Sequence, residues 1–337
     1  LRDLPEVPDL PPQGLPGWLL DVLADRLGPV AAVGHRIVHG GRKYAAPVVL
    51  DDAVLADLRR LIPLAPLHEP HNLNGVEAAK KVWPGALQIG CFDTAFHRTQ
   101  PELNQRLPIP RDLHDDGIQR YGFHGLSYDY IAGTLPEHVG DRARGRVIVA
   151  HLGNGASLCA LRDGKSVATT MGMTALDGLM MGTRTGSIDP GVILHLIEER
   201  GMTPAEVSAL LYSGSGLKGV SGLSGDLRTL EAAGTPAADE AMALFALRAR
   251  QEIGAMAATI GGLDLLVFTG GIGEHSAPMR ARICAGLDWL GIALDVAANA
   301  RHGTEIQRAG ASVKVLVLRT DEEAVIARAT LALAASR

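Results

Sequence analysis

Between residues 145 and 170 the chain encodes three strands in succession, which leaves few folds open. Residues 146–151 (RVIVAH) form a continuous apolar run of the buried-strand type, LGNGAS is a turn, and 158–162 (LCALR) is a second strand. Asp163-Gly164 then precedes a third strand over 166–170. Asp-Gly suits a two-residue turn in which both central residues need positive φ, the geometry that matches the twist of a hairpin. An antiparallel unit therefore opens here, and around it strands alternate with helices. Upstream the spacing predicts helices over 18–27, 52–61 and 72–83, with strands over 30–39 and 86–92; residues 1–16, acidic and proline-rich, read as a linker or a frayed end. Downstream it predicts helices over 191–200, 204–212 and 237–260, and a strand over 263–268 running into a glycine turn. A helix from Ser276, a strand over 313–318 and a helix over 322–335 complete the pattern. This is α/β architecture, and 337 residues suffice for two domains.

Composition narrows the class. With 47% apolar and 20% charged residues the chain is globular, and a net charge of −5 provides no broad basic field for nucleic acid or acidic membranes. Any anion site must be local. No apolar run is long enough to span a bilayer, and the opening residues do not resemble a signal peptide. Cys91, Cys159 and Cys284 are scattered without a C-x-x-C pair, so neither zinc nor a disulfide framework is expected, and a cytoplasmic location is.

Two stretches imitate known phosphate loops and fail. "DGKS" at 163–166 lacks the glycine that a Walker loop needs five residues before Gly164, where Cys159 stands. "GSGLKG" at 214–219 matches G-x-G-x-x-G, but a helix precedes it where the dinucleotide fingerprint requires a strand.

The remaining candidates share one setting, a polar side chain among glycines at a strand end, where open α/β folds collect ligands. GLMMGTRTGSIDPG places Arg184 among four glycines, either as a solvated loop residue or as a grip on an anion. Arg36 interrupts an apolar strand and needs a pairing partner if buried. Asp93 at a strand end reads either as an N-cap or as a functional acid, and His124 sits between glycines in YGFHG. HLGNG and FTGGIGEH are rich in backbone donors of the kind that cradle phosphate. Together these residues point to phosphoryl transfer, where catalysis is mostly positioning and charge neutralisation.

Taken in order, GHRIVHGG, PLAPLHEPHNLNG, CFDTAFH, YGFHG, HLGNGAS, MGMTALDGLMMGTRTGSIDPG, SGLSGDLR, FTGGIGEHS and TDEEAVIAR closely resemble the acetokinase family of the sugar kinase/Hsp70/actin superfamily. The matching segments run from residue 34 to 328. The resemblance implies two actin-like (ribonuclease H-like) α/β domains around a cleft holding Arg36, Asp93, His124 and Arg184. The first would cover 1–144, and the second, with the nucleotide site, 145–320. A helix over 321–337 would return to the first. It implies reversible transfer of the ATP γ-phosphoryl group to acetate, with Mg2+ or Mn2+, in a homodimer. The same chemistry on propionate, or a catalytically silent homologue, is the alternative.

By the same resemblance Arg36 and Arg184 hold the carboxylate and the phosphoryl group, His124 stabilises the transition state, and Asp93 is the essential acid. Val38, Leu67 and Phe123 wall the acetate pocket. ATP falls to His151, Leu152, Gly153, Asn154, Gly155, Asp226, Leu227, Arg228, Gly271, Ile272, Gly273, Glu274 and His275, and the metal to Glu322. Acetate is already ionised at neutral pH, so a general base is unnecessary, and holding a cation is the more natural task for Asp93. Two departures stand out. Ala175 replaces a proline usual in the family, and the family's opening strand with its N-x-G-S-S-S-x-K loop has no counterpart in this text, which starts with Leu1. The expectation is a first domain lacking that strand and a chain of low activity as written.

Overall fold

The computed structural model describes residues 22–23, 29–66 and 68–336. The linker expected over 1–16, and all of the helix expected over 18–27 except residues 22 and 23, lie outside the described residues. The chain divides into two compact units, Leu1–Arg98 with Asp321–Arg337, and Thr99–Thr320.

Among the described residues, the first unit is built on a three-stranded sheet. Strands β1 (Ala32–Ile37) and β2 (Val48–Val49) are followed by helices α1 (Asp52–Arg60) and α2 (Glu69–Val82) and by β3 (Leu87–Phe92). The order is β1-β3-β2, with β1 parallel and β2 antiparallel to β3. Asp51 caps α1 by accepting from the Val54 amide at 2.8 Å. Helix α2 starts three residues before its expected position, because Pro70 occupies the first turn, where its missing N–H has no partner to lose. Ile37, Leu50, Leu55, Leu58, Val76 and Phe92 close the core, with the Tyr44 ring stacked on Phe92 at 5.4 Å. Helix Glu322–Ala335 lies directly on β1. A Cβ at Gly34 would overlap the Thr330 hydroxyl and sit 2.5 Å from Ile326 Cγ2, so only glycine admits this approach. Because β1 and β3 are parallel and Ile37 is in register with Phe92, Arg36 and Asp93 emerge at the same end of the sheet, at the C-terminal ends of their strands.

The second unit carries helix α3 (Gly125–Val139) and then the hairpin strands β4 (Val147–Leu152), β5 (Ala156–Arg162) and β6 (Lys165–Thr169). Asp163 and Gly164 have φ of 53° and 70°, so both central residues of the β5–β6 turn are left-handed as the Asp-Gly signal requires. Helices α4 (Pro190–Glu198), α5 (Pro204–Ser213), α6 (Gly216–Ser221), α7 (Leu227–Ala233) and α8 (Pro236–Ile260) follow. Then come β7 (Leu265–Thr269), α9 (Gly270–His275), α10 (Ala277–Cys284) and β8 (Lys314–Val317). The sheet runs β6-β5-β4-β7-β8, antiparallel on the hairpin side and parallel from β4 to β8. Helix α8 begins at a Thr235 cap with Pro236 next and ends at Gly261 in the left-handed region. Its buried residues Ala238, Ala241, Phe245, Ala249, Ile253, Met256 and Ile260 form one face, packed on β5.

Where a glycine turn was expected after β7, the chain makes a helical turn. The Glu274 side chain folds back to accept from the Gly270 amide at 3.0 Å, and Gly270 has φ of 77° against the Leu152 carbonyl. Register places His151 opposite Thr269, so the glycine segments after β4 and β7 share one sheet end. Among the described residues no helix is long and apolar enough to cross a membrane.

Candidate active site

In the first unit the charged cluster centres on Arg36. Its Nη2 donates to Asp93 Oδ2 at 2.7 Å and its Nε to Oδ1 at 3.1 Å, a two-pronged pair, while Nη1 lies 3.7 Å from Glu322 Oε2. Burial falls on the acid. The Asp93 side chain is 2% exposed and that of Arg36 44%, so the arginine reaches out of an apolar strand instead of being enclosed by it. The Asp93 charge holds the Arg36 pKa above its usual value. Glu322, the first residue of its helix, is pushed up by burial and by the charges of Asp93 and Glu323, with Arg36 opposing. Behind this cluster Glu69 is fully buried and accepts from the His39 amide at 3.1 Å; burial pushes its pKa up to about 8. Val38 is buried, its amide donating to Asn72 Oδ1 at 3.0 Å. Leu67 lies outside the described residues.

In the second unit Arg184 is held in an ordered loop. Its carbonyl accepts from the Met181 amide at 3.0 Å, and the neighbouring carbonyls of Thr183 and Gly182 accept from Ser215 and Lys218. Gly186 and Gly216, both left-handed, permit backbone contacts that a Cβ would block, against the Leu179 carbonyl and the Met181 carbonyl respectively. The guanidinium is half-buried. Nη1 donates to the Ala175 carbonyl at 2.7 Å, and no carboxylate among the described residues forms an ion pair with it. Burial lowers its pKa, with Tyr212 opposing. A desolvated arginine without a counter-charge is an anion receptor in waiting.

His124 converges on the same place. A Cβ at Gly155 would lie 3.0 Å from Arg184 Nη2 and 3.1 Å from His124 Nε2, so both groups rest against that glycine. His124 holds a left-handed φ of 58° at the start of α3, its ring stacked on His151 at 4.3 Å, with Nδ1 2.8 Å from Ser157 Oγ. Phe123 beside it is buried.

Next to this group lies a cavity of roughly 620 Å³, lined by Gly153, Asn154, Gly225, Asp226, Leu227, Arg228, Glu231, Gly271, Ile272, His275 and Ser276. The volume suits a nucleotide. Asp226 caps α7, accepting from the Arg228 amide at 3.0 Å and pairing with its guanidinium at 2.7 Å.

A model of the acetokinase family matches residues 20–328 of the chain. The chain belongs to the acetokinase family. An acetate kinase of Methylocella silvestris is 55% identical over 304 residues, covering 90% of this chain and 75% of that protein. Among solved structures, Porphyromonas gingivalis acetate kinase has a TM-score of 0.86 at 43% identity, covering 94% of this chain and 83% of that one. A propionate kinase from Francisella tularensis has a TM-score of 0.91 at 36% identity, covering 97% and 86%. Membership in the acetokinase family makes the chain a phosphotransferase that moves a phosphoryl group from ATP to a carboxyl acceptor.

Of the residues that the family resemblance assigns to ATP, Gly153, Asn154, Asp226, Leu227, Arg228, Gly271, Ile272 and His275 line the cavity. His151, Leu152, Gly155, Gly273 and Glu274 do not. Leu152 is a core residue of β4, His151 stacks on His124, Gly155 faces Arg184, and Glu274 braces α9. Leu227 keeps its side chain in the core and can offer a ligand little more than its backbone. Sequence reasoning missed three supports. The discarded GSGLKG stretch is the brace of the Arg184 loop. Arg280, fully buried, donates to the carbonyls of Gly273 and Glu274 and so fixes α9 beside the cavity. Ser157 and Tyr128 stand behind His124. Only the glycine spacing of GSGLKG carried a signal in advance.

Proposed function

We propose that the acceptor is acetate, and that the chain reversibly converts ATP and acetate into ADP and acetyl phosphate. The observation that carries this reading is Arg184, a half-buried guanidinium with no carboxylate partner among the described residues, sharing the face of Gly155 with His124 Nε2. An acetate oxygen supplies the electron pair for the new P–O bond while the bond from the γ-phosphorus to ADP breaks. The negative charge on the equatorial oxygens is what Arg184 neutralises and what His124 stabilises by hydrogen bonding. Acetate arrives ionised, so no residue has to remove a proton, and Asp93 is left free to hold Arg36 and a cation.

Mg2+, or Mn2+ in its place, is the proposed metal. Among the described residues no three His, Cys, Asp or Glu side chains form a metal site by themselves. Magnesium does not ask for one, since it is held by one or two carboxylates together with substrate phosphates. Asp93 and Glu322 fit that donor set, two carboxylates crowded on one arginine, with Glu322 pushed up chiefly by burial. Asp93 and Glu322 would hold the ion, which would supply positive charge to offset that of the transferring phosphates.

The actin-like kinase plan, with a nucleotide site in the second domain, goes with this reading, as do a cytoplasmic enzyme and a homodimer. Helix α4 supports the dimer. It carries Val192, Leu194 and Ile197, buries none of its residues, and borders a groove lined by Ile188, Val192 and Val220. Light scattering tests the dimer. An assay coupling ADP release to a series of short carboxylates, with ATP and Mg2+, tests the function. Acetate is expected to give the highest kcat/KM, and no turnover with any carboxylate would refute the proposal. Propionate is the second reading, favoured by the small side chain of Ala175, whose carbonyl touches Arg184.

A further inference from the structure

We infer that Ser157 and Tyr128 are positioning residues that lock His124 in the tautomer carrying its proton on Nε2. This rests on the reading that His124 faces the transferring phosphoryl group. Ser157 is fully buried in β5 and Tyr128 is fully buried in the first turn of α3. Their oxygens are 2.5 Å apart, and Ser157 Oγ is 2.8 Å from His124 Nδ1.

The serine hydroxyl has one proton and two neighbours, so the direction of the chain of bonds decides the tautomer. A phenol is a stronger acid than an aliphatic alcohol, and the short contact is best made with Tyr128 donating to Ser157. The serine proton then has one neighbour left to receive it, His124 Nδ1, which must be unprotonated to accept. The ring proton therefore sits on Nε2, the atom that shares the face of Gly155 with Arg184 Nη2. A neutral imidazole in this state presents an N–H to a phosphoryl oxygen, whereas the other tautomer would present a lone pair and repel it. Stacking on His151 holds the ring plane, and His151 is itself tied through Nδ1 to Ser127 Oγ at 2.8 Å. The left-handed backbone at His124 is strained for a residue with a Cβ, and the surrounding contacts hold it there.

The test is nitrogen NMR on the whole chain labelled at its 12 histidines, with His124→Gln assigning the signal. The expected spectrum shows His124 protonated on Nε2 and unprotonated on Nδ1 near neutral pH. Tyr128→Phe and Ser157→Ala should each give a mixture of tautomers and lower kcat by about 10- to 100-fold, as loss of an orienting partner does elsewhere, with KM for ATP little changed. If Ser157→Ala does not fold, the wild-type spectrum and Tyr128→Phe decide alone. A wild-type His124 protonated on Nδ1, or an unchanged tautomer in the variants, overturns the inference. Full turnover in His124→Gln would instead remove the reading of His124 at the phosphoryl group, a result separate from the tautomer.

Discussion

Replacing Gly155 by alanine perturbs the proposed phosphoryl site through a single methyl group. The new Cβ would stand 3.0 Å from Arg184 Nη2 and 3.1 Å from His124 Nε2. Ordinary contact for such atoms is about 3.5 Å, so each partner must retreat by several tenths of an ångström. Gly155 is not among the residues with left-handed φ, so the backbone accepts alanine and the fold should survive. The effect falls on alignment. A displacement of about 1 Å in a reacting constellation costs roughly 100-fold in rate, and this substitution moves two charge-stabilising groups together. A fall in kcat of about 30- to 100-fold is expected, equivalent to about 2–2.7 kcal/mol, with the unfolding midpoint little changed. The assay is ADP release under saturating ATP, Mg2+ and acetate, with circular dichroism on the same sample. Gly164→Ala, at a hairpin turn with φ of 70°, is the contrast; it should lower stability and leave kcat alone. A Gly155→Ala enzyme within about twofold of wild type would show that Arg184 and His124 do not act at that face.

Arg184→Ala should lower kcat by about 100-fold or more while the protein stays folded, and lysine should rescue little because it lacks the planar fork; near-normal turnover would return Arg184 to the solvated-loop reading. Gly34→Ala should destabilise the packing of helix Glu322–Ala335 on β1 by about 1–3 kcal/mol in urea unfolding, because the new methyl overlaps Thr330. Glu69 is pushed up to about 8 from an ordinary 4.5, so the folded chain binds a proton that the unfolded chain releases. Its contribution is full below about pH 4.5 and declines as pH rises towards 8, by at most about 5 kcal/mol. Glu69→Gln should therefore be more stable than wild type at pH 8, with the gap closing towards pH 5 in thermal melts. Ala175→Pro keeps the carbonyl that binds Arg184 and adds ring carbons, and should raise the acetate-to-propionate ratio of kcat/KM; a constant ratio would refute a role for this position in selectivity.

Much of the fold was legible because its signals are local. The Asp163-Gly164 turn announced itself through a dipeptide that tolerates two left-handed residues, and α8 lies where a helix over 237–260 was expected, between its Thr235 cap and Gly261. Helix α3 was not legible. Its segment contains Gly133 and Pro136 and so reads as poorly helical, yet burial of Leu126, Tyr128, Ile131 and Leu135 on one face overrides propensity. Strand β2, two residues long, has no periodicity to detect and exists only through its pairing with β3.

The same division holds at the candidate site. Sequence alone determined which residue types gather at strand ends, since glycine spacing and embedded charges survive as strings, and those strings carried the family. It could not say that Arg36 is paired while Arg184 meets no carboxylate among the described residues. That difference depends on β1 lying parallel to β3, which brings Asp93 to Arg36 across 57 positions, and on a loop that gives the Arg184 guanidinium the Ala175 carbonyl as its acceptor. Nor could it say that GSGLKG is a brace, that Arg280 supports α9, or that Ser157 reaches His124. Hydrogen bonds between residues far apart in the chain leave no periodic trace in the text. Only packing decides which donors meet which acceptors, because burial makes an unmet polar group too unfavourable to leave.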